Sequence, residues 1–210
     1  MAPLVAVLDY EIGNLRSAQK ALQHLGADAR LTADAGLVRA ADAVVLPGVG
    51  AFGRCMDAVR AHGLEPLVHE SVERGVPFLG ICIGMQMLFD ASEESPGAAG
   101  VGVLPGTVRL LPGTVKRPQM QWNVLERRGD PALLQGVPDP AWAYFVHSYA
   151  ADTDDGLVTA TCDYGGPVVA AVERGSVWAT QFHPEKSGRT GLAVLQAFVE
   201  RATAPVPAPQ

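Results

Sequence analysis

The sequence predicts an α/β protein with a mostly parallel central sheet, and two observations carry this prediction. In the first ninety residues, short apolar runs alternate with segments of helical spacing, which is the pattern of βαβ units. In the second half, short β-like runs are broken by glycine and proline, which favours antiparallel strands added to that sheet. We therefore expect helices on both faces of the parallel part and functional loops at the carboxyl ends of its strands.

The elements of the N-terminal half are predicted from apolar runs and their end signals. Residues 4–8, 43–46 and 76–81 are continuous apolar runs typical of buried parallel strands, and 27–32 is a further strand candidate. Helices are predicted over 15–25, 54–61 and 64–74; Asn14 is a good N-cap for the first, and Gly26 suits its C-terminal end. The apolar residues of that first helix recur at helical spacing: Leu15, Ala18, Leu22 and Leu25.

After Asp90 the pattern changes. Residues 91–100 form a Ser/Glu/Gly/Ala loop, and β-like runs follow at 101–104, 107–111, 142–146, 158–162, 168–173 and 177–180. A closing helix is predicted over 189–202, with apolar residues at Leu192, Leu195, Ala197, Phe198 and Val199. We expect one domain over 1–202 and a disordered Pro/Ala-rich tail over 203–210.

Composition excludes several classes of function. The net charge of −6 disfavours a nonspecific nucleic-acid binder, and no apolar run reaches the ~20 residues of a membrane helix. The three cysteines, Cys55, Cys82 and Cys162, are too widely spaced for a disulfide framework or a zinc site. We therefore expect a protein of the reducing cytoplasm that holds no metal and no organic cofactor.

The motif Gly80-Ile-Cys82-Ile-Gly84 is the strongest chemical signal in the chain. An apolar run ends at the cysteine and passes at once into good helix formers, which is the cysteine form of a nucleophile elbow. The flanking glycines leave room for the tight turn, and the start of a helix stabilises a negative charge on sulfur. A buried structural cysteine is the alternative, because cysteine is often buried, but the two glycines disfavour it.

A cysteine nucleophile needs a base, and His183 is the best candidate among five histidines. It follows an apolar run, Pro184 stiffens the turn, and Glu185 is placed to hold the imidazole in one tautomer. The order cysteine, histidine, glutamate differs from the order of the α/β-hydrolases. His147 is a second candidate at the end of a strand. The remaining histidines fit structural or solvated positions: His24, His62 and His69.

The segment Pro47-Gly48-Val49-Gly50 follows another predicted parallel strand, so it should lie at the same sheet edge as Cys82. Gly48 and Gly50 give its backbone amides the freedom to turn toward a ligand. We expect this segment to form an oxyanion hole together with the amide of Ile83, although a tight structural turn would have the same composition. A thiolate, a base with its carboxylate, and an oxyanion hole together predict acyl transfer through a thioester.

These motifs resemble those of the class I (triad) glutamine amidotransferases and, within them, those of the glutaminase subunits of imidazole glycerol phosphate synthase. Residues 80–86 and 183–185 are similar to the superfamily motifs, and the narrower signals lie at 9–17, 46–50, 144–149 and 183–188. The resemblance extends from Leu4 to about Val199 and implies a flavodoxin-like fold with antiparallel β additions.

The resemblance also implies the chemistry. Cys82 would attack the side-chain amide of glutamine, His183 would move protons, and Glu185 would orient His183. Ammonia would leave, and water would cleave the glutamyl thioester to glutamate. The remaining implied site residues are Val49 in the oxyanion hole and Gln86, Ser148 and Tyr149 in the glutamine pocket.

The same resemblance implies a partner subunit. Ammonia would pass to a (β/α)₈ barrel cyclase subunit, which makes imidazole glycerol phosphate and an aminoimidazole carboxamide ribotide. Glutaminase activity would stay low until the barrel binds its nucleotide ligand, and a movable segment 47–50 would suit such gating. The residues implied at the interface are Asn14, Arg16, Met120, Trp122 and Lys186.

Three positions depart from the residues usual in this family. Glu11 stands where glycine is usual, and Gln119 and Gln121 stand where histidine and glycine are usual. Because these segments face the barrel in the family, we expect the departures to alter the interface and its coupling rather than the triad.

Three other functions remain open at the level of sequence. The chain could be the glutaminase of another synthase, such as one for anthranilate or a purine nucleotide. It could be a catalytically silent regulatory module on the same fold. It could also be a cysteine hydrolase of another small amide or ester.

Overall fold

The computed structural model describes residues 2–13 and 15–203. The strands are β1 (Leu4–Leu8), β2 (Asp28–Thr32), β3 (Ala43–Gly48), β4 (Phe78–Cys82), β5 (Ala91–Ser92), β6 (Thr107–Leu110), β7 (Gln119–Val124), β8 (Glu126–Arg127), β9 (Trp142–His147), β10 (Tyr149–Asp152), β11 (Val158–Asp163), β12 (Pro167–Arg174) and β13 (Val177–Thr180). The helices are α1 (Leu15–His24), α2 (Ala35–Ala40), α3 (Phe52–Ala61), α4 (Glu65–Glu73), α5 (Ile83–Met87) and α6 (Gly188–Thr203).

The central sheet confirms the predicted mixture of parallel and antiparallel strands. Its eight strands run in the order β2-β1-β3-β4-β13-β12-β11-β8, and the first five are parallel to one another. The last three pair antiparallel. The chain steps outward from β1 to β2 and then returns past β1 to β3, so right-handed crossovers place α1 on one face and α2 on the other.

Two smaller sheets complete the β structure. One contains β10, β6 and β5, and the other is the antiparallel pair of β7 with β9.

The structure corrects the sequence-based predictions at several points. Residues 101–104 form no strand, and β13, predicted as an antiparallel addition, is parallel to β4 in the centre of the sheet. Helix α2 and strands β7, β8 and β10 had no prediction at all, and the predicted loop 91–100 begins with the short strand β5.

The predicted ends of α1 and α6 are largely confirmed. Gly26 has φ +87 after α1, the left-handed conformation for which glycine is favoured there. In α6 the residues Leu195, Phe198 and Val199 are buried, Ala197 is half-buried, and Leu192 is 36% exposed. Thr203 still belongs to α6. The N-cap prediction for Asn14 and the tail prediction for 204–210 lie outside the described residues.

The register of three neighbouring strands brings the predicted site together. Gly48 at the end of β3 pairs with Cys82 at the end of β4, and Thr180 at the end of β13 pairs with Ile81 on the other side. Parallel strands end at a common edge, so segments about 100 residues apart in the chain meet there. In the described part of the chain, no helix has both the length and the apolar composition that crossing a bilayer requires.

Candidate active site

Cys82 occupies a strained turn between β4 and α5. Its φ of 55° and ψ of −110° are unusual for a residue with a side chain, and it is only 3% exposed. The two flanking glycines permit this turn. A Cβ on Gly80 would lie 2.8 Å from Leu88 and 3.0 Å from the backbone of Met85, and one on Gly84 would overlap the Leu46 carbonyl group. The predicted nucleophile elbow is therefore present, although α5 has only five residues and its dipole is correspondingly small.

His183 and Glu185 form a buried pair beside this turn. The Nδ1 atom of His183 lies 2.8 Å from Oε1 of Glu185, and the two side chains are 2% and 4% exposed. The position of His183 is fixed through its backbone: its N–H donates to Tyr144 at 3.1 Å, and its carbonyl accepts from the Ser187 hydroxyl at 2.7 Å. The carboxylate accepts from Nδ1–H, which leaves Nε2 as the ring nitrogen available to interact with Cys82.

The electrostatics of His183 favour its protonated form. Burial lowers its pKa, but interactions with Cys82 and Glu185 outweigh burial and raise the pKa to about 9. Cys82 lies close enough to exert this effect, yet among the described residues no group reaches Nε2 with normal hydrogen-bond geometry. Loose contacts of this kind in a free enzyme often tighten when substrate binds. The pair is thus arranged to take a proton from the thiol and to hold it.

A cavity of about 240 Å³ opens beside the cysteine. Its walls come from the segment after β3, the junction of β4 with α5, the end of β9 with the residues that follow it, and the segment after β13, together with two loop residues. It is lined by Val49, Gly50, Cys82, Ile83, Gln86, Glu94, Pro118, Val146, His147, Ser148, Tyr149 and His183. Most of the residues predicted to touch substrate are therefore brought together in one place. Gly48 is not in this lining, because it packs beneath Tyr10 and Gly84.

Two buried side chains hold carbonyl groups of the segment 47–50. The Tyr10 hydroxyl donates to the carbonyl of Pro47 at 2.6 Å, and the Cys55 thiol donates to the carbonyl of Val49 at 3.5 Å. Burial raises the pKa of Cys55 to about 11, so this thiol stays protonated and remains a donor. These contacts fix two carbonyl groups of the segment that carries the predicted oxyanion amide of Val49.

Two residues of the site were missed at the sequence level. Gln181 is fully buried next to the nucleophile, and its Nε2 is 3.7 Å from Sγ of Cys82. The signal for it was the polar pair Thr180-Gln181 inside the otherwise apolar run that leads to His183. Glu94 lines the cavity and accepts from the amide of Phe52 at 2.7 Å. It lies in the 91–100 loop, which has no pattern that would single it out.

His147 lines the cavity too, but its ring nitrogens are both engaged, so it is not free to act as a second base. Nδ1 is 2.8 Å from the Tyr149 carbonyl oxygen, and Nε2 is 2.9 Å from the Gln119 side-chain amide. Burial lowers its pKa to about 4. Around this site and elsewhere in residues 2–13 and 15–203, no three His, Cys, Asp or Glu side chains form a group that could hold a metal ion.

The residues predicted at a partner interface lie on the surface wherever they are described. Met120 and Trp122 are 62% and 49% exposed on β7, and Arg16 and Lys186 are exposed as well. Asn14 is outside the described residues. Gln119 differs: it was expected in the interface segment, but its side chain is fully buried and points inward, whereas Gln121 is exposed.

A buried thiol in a strained elbow, a histidine–glutamate pair beside it and a small cavity lined by both define an enzyme of cysteine-dependent acyl transfer. The comparisons with known proteins narrow this class. The sequence profile of the family Glutamine amidotransferase class-I matches residues 6–202. The chain therefore belongs to the class I glutamine amidotransferases and, within them, to the family of its HisH relatives.

These relatives are similar over nearly their whole length. One is "Imidazole glycerol phosphate synthase subunit HisH" from Deinococcus radiodurans, 49% identical over 94% of this chain and 93% of the relative. The protein of the same name from Methanothermobacter thermautotrophicus is 48% identical over 94% and 98%. A solved structure described as "Crystal structure of glutamine amidotransferase" superimposes with a TM-score of 0.74 at 24% identity, over 95% of this chain and 99% of the other, which supports the fold alone.

Proposed function

We propose that this chain is the glutaminase subunit of an imidazole glycerol phosphate synthase and that it supplies ammonia for histidine biosynthesis. The observation that carries the proposal is the 49% identity to a HisH subunit over 94% of the chain. The grouping of Cys82, His183 and Glu185 at one sheet edge agrees with it. The three cysteines are free thiols, as a cysteine enzyme of the reducing cytoplasm requires.

The reaction begins with attack of the Cys82 sulfur on the side-chain carbonyl carbon of glutamine, while His183 takes the thiol proton. The carbonyl oxygen becomes an oxyanion, which the backbone amides of Val49 and Ile83 stabilise. The C–N bond then breaks, His183 gives its proton to the departing nitrogen, and ammonia leaves a glutamyl thioester. Water, deprotonated by His183, cleaves this thioester, so that glutamine and water become glutamate and ammonia.

Substrate is oriented by polar groups at the cavity wall. Glu94 places a carboxylate where it can pair with the α-ammonium group of glutamine. The Oε1 atom of Gln86 is buried and, among the described residues, has no hydrogen-bond partner. A buried acceptor without a partner is costly, so an N–H group of the substrate is the natural ligand for it. Ser148 and Tyr149 line the remaining side of the same cavity.

The partner is a cyclase subunit with a (β/α)₈ barrel, which receives ammonia directly. Met120 and Trp122 expose apolar surface on one strand, and Lys186 lies directly after the catalytic pair, which suits a contact close to the site. Direct transfer keeps ammonia unprotonated and away from competing acceptors. Arg16, Asn14 and the departures at Glu11 and Gln121 belong to the same predicted contact.

The test measures glutamate production from glutamine by the chain alone, and then with the cyclase subunit and its nucleotide ligand. We expect a low rate alone, strong stimulation by the liganded partner, and no activity in Cys82→Ala. His183→Ala should lose most of the stimulated rate, whereas the matched control His24→Ala, at the exposed end of α1, should keep it. Urea unfolding of each variant excludes loss of fold as the cause.

Two results would contradict the proposal at different levels. Stimulation by the subunit of another synthase would keep the triad chemistry and change the pathway. Activity that survives Cys82→Ala would overturn the mechanism itself. A third result is also informative. If iodoacetamide alkylates Cys82 but the protein hydrolyses no glutamine with any partner, another small amide or ester would be favoured as the substrate.

A further inference from the structure

A chain of buried polar groups connects the partner-facing strand β7 with the nucleophile. It starts at Gln119, which is fully buried and pairs in register with His147 on β9. His147 is 5% exposed, and both of its ring nitrogens have partners within 2.9 Å. A buried polar network of this kind fixes one arrangement when every member is satisfied.

The hydrogen bonds of His147 define its tautomer. The partner of Nδ1 is the Tyr149 carbonyl oxygen, which can only accept, so Nδ1 carries the proton. A neutral ring then has a lone pair on Nε2, and the Gln119 amide must present its NH₂ group there. This orientation turns the amide oxygen of Gln119 toward the Cys162 thiol, where the other amide atom lies 3.7 Å from Sγ. Nε2 of His147 and the Cys162 thiol then each have a partner in the Gln119 amide.

The chain continues from Tyr149 to the cysteine. The Tyr149 carbonyl also accepts from Nε2 of Gln86 at 2.9 Å, and the same nitrogen donates to Oε1 of Gln181 at 2.9 Å. Nε2 of Gln181 is in turn 3.7 Å from Sγ of Cys82. The nitrogen of Gln86 is therefore held by two acceptors, and this leaves its oxygen buried without a partner in the described chain.

We propose that His147 and Gln119 are positioning residues for glutamine hydrolysis: the Gln119 amide holds the neutral His147 ring at Nε2, and the Nδ1–H of His147 aligns the Tyr149 carbonyl so that Gln86 directs its oxygen toward the substrate. The inference rests on the proposed function for its substrate. Neither residue contacts the reacting atoms. They act on the orientation of the Gln86 amide, because the Tyr149 carbonyl is one of the two acceptors that hold its nitrogen.

The test compares two replacements of His147 in the full chain with its cyclase partner. His147→Asn keeps an N–H donor close to the position of Nδ1, whereas His147→Leu keeps the bulk and loses the donor. We expect His147→Leu to lower kcat/KM for glutamine about 10-fold, mainly through a higher KM, and His147→Asn to stay within about 3-fold of the unchanged protein. Equal kcat/KM for all three proteins, or equal losses in both variants, would overturn the proposal.

Two further measurements distinguish a failure of this proposal from a failure of the proposed function and from loss of the fold. ¹⁵N NMR of the histidine ring should show a neutral His147 with the proton on Nδ1, and Gln119→Met should weaken that preference. An imidazolium or an Nε2–H tautomer at neutral pH would refute the proposal even if His147→Leu does not fold. Iodoacetamide should alkylate Cys82 equally in the unchanged protein and in His147→Leu, whereas a glutamine-derived chloroketone should alkylate the variant more slowly; equal chloroketone rates would also count against it.

Discussion

Replacing Gly84 by alanine tests whether the elbow geometry is as tight as the structure shows. A Cβ at this position would overlap the carbonyl oxygen of Leu46 and lie 2.8 Å from its carbonyl carbon. Both obstacles are backbone atoms of β3, so no side chain can rotate away. Either β3 or α5 must move, and this is overpacking at the severe end, which we expect to cost at least about 3 kcal/mol. The movement would also displace the amide of Ile83 and the oxyanion hole.

Urea unfolding measures this cost. With a slope of about 3 kcal/mol per molar urea, 3 kcal/mol lowers the unfolding midpoint by about 1 M. The matched control is Gly113→Ala, because a Cβ there meets nothing within 4 Å and its φ lies outside the left-handed region. Its midpoint should remain unchanged. A Gly84→Ala protein with the midpoint of the control and full glutaminase activity would show that the turn is looser than described.

Three further predictions concern charge and backbone strain. Burial lowers the pKa of His183, but Cys82 and Glu185 raise it to about 9, so the stabilisation is complete below the unfolded pKa of 6.5 and is lost as pH rises through 9. The difference in free energy of unfolding between the unchanged protein and His183→Gln should therefore shrink by as much as about 3 kcal/mol from pH 6.5 to above 9; a constant difference would contradict this. For His147 the pH dependence of stability has the opposite sign, because burial lowers its pKa to about 4 and the folded protein favours the neutral form. Stability should fall by about 2 to 3 kcal/mol more in the unchanged protein than in His147→Asn as pH falls from 6.5 toward 4, and urea midpoints at both ends measure it. Glu11 has φ 64, which costs a non-glycine residue about 1 kcal/mol, so Glu11→Gly should raise the free energy of unfolding by up to that amount, whereas Glu11→Ala should not.

The sequence was informative where local chemistry and strand order coincide. The elbow around Cys82 could be predicted because its glycines, its apolar strand and its helix formers are contiguous. His183 and Glu185 are also neighbours in the chain, so their pairing at 2.8 Å required no knowledge of the fold. The common edge of β3 and β4 followed from the rule that parallel strands end together.

What could not be predicted depends on pairings between distant strands. The run 177–180 has the length and composition of an antiparallel strand, and only its partner β4 makes it parallel. Gln181 gains its contact with Cys82 from that pairing, across 99 positions of sequence. Glu94 reaches the cavity from an irregular loop, for which no periodicity exists.

The effects of Gln119 and Gln121, which differ from the residues usual in the family, could be inferred only from the position of strand β7 in the structure. Side chains alternate along a strand, so neighbouring residues of one motif serve opposite faces. The family motif predicts one interface segment here, but Gln119 is fully buried against His147 while Met120 is 62% exposed. A partner that presses on Met120 therefore acts on the same strand that holds His147 in place. Strand β7 therefore connects the predicted partner surface on one face with the hydrogen bonds that lead to Cys82 on the other. We expect a substitution at Gln119 to change those hydrogen bonds before it changes binding of the partner.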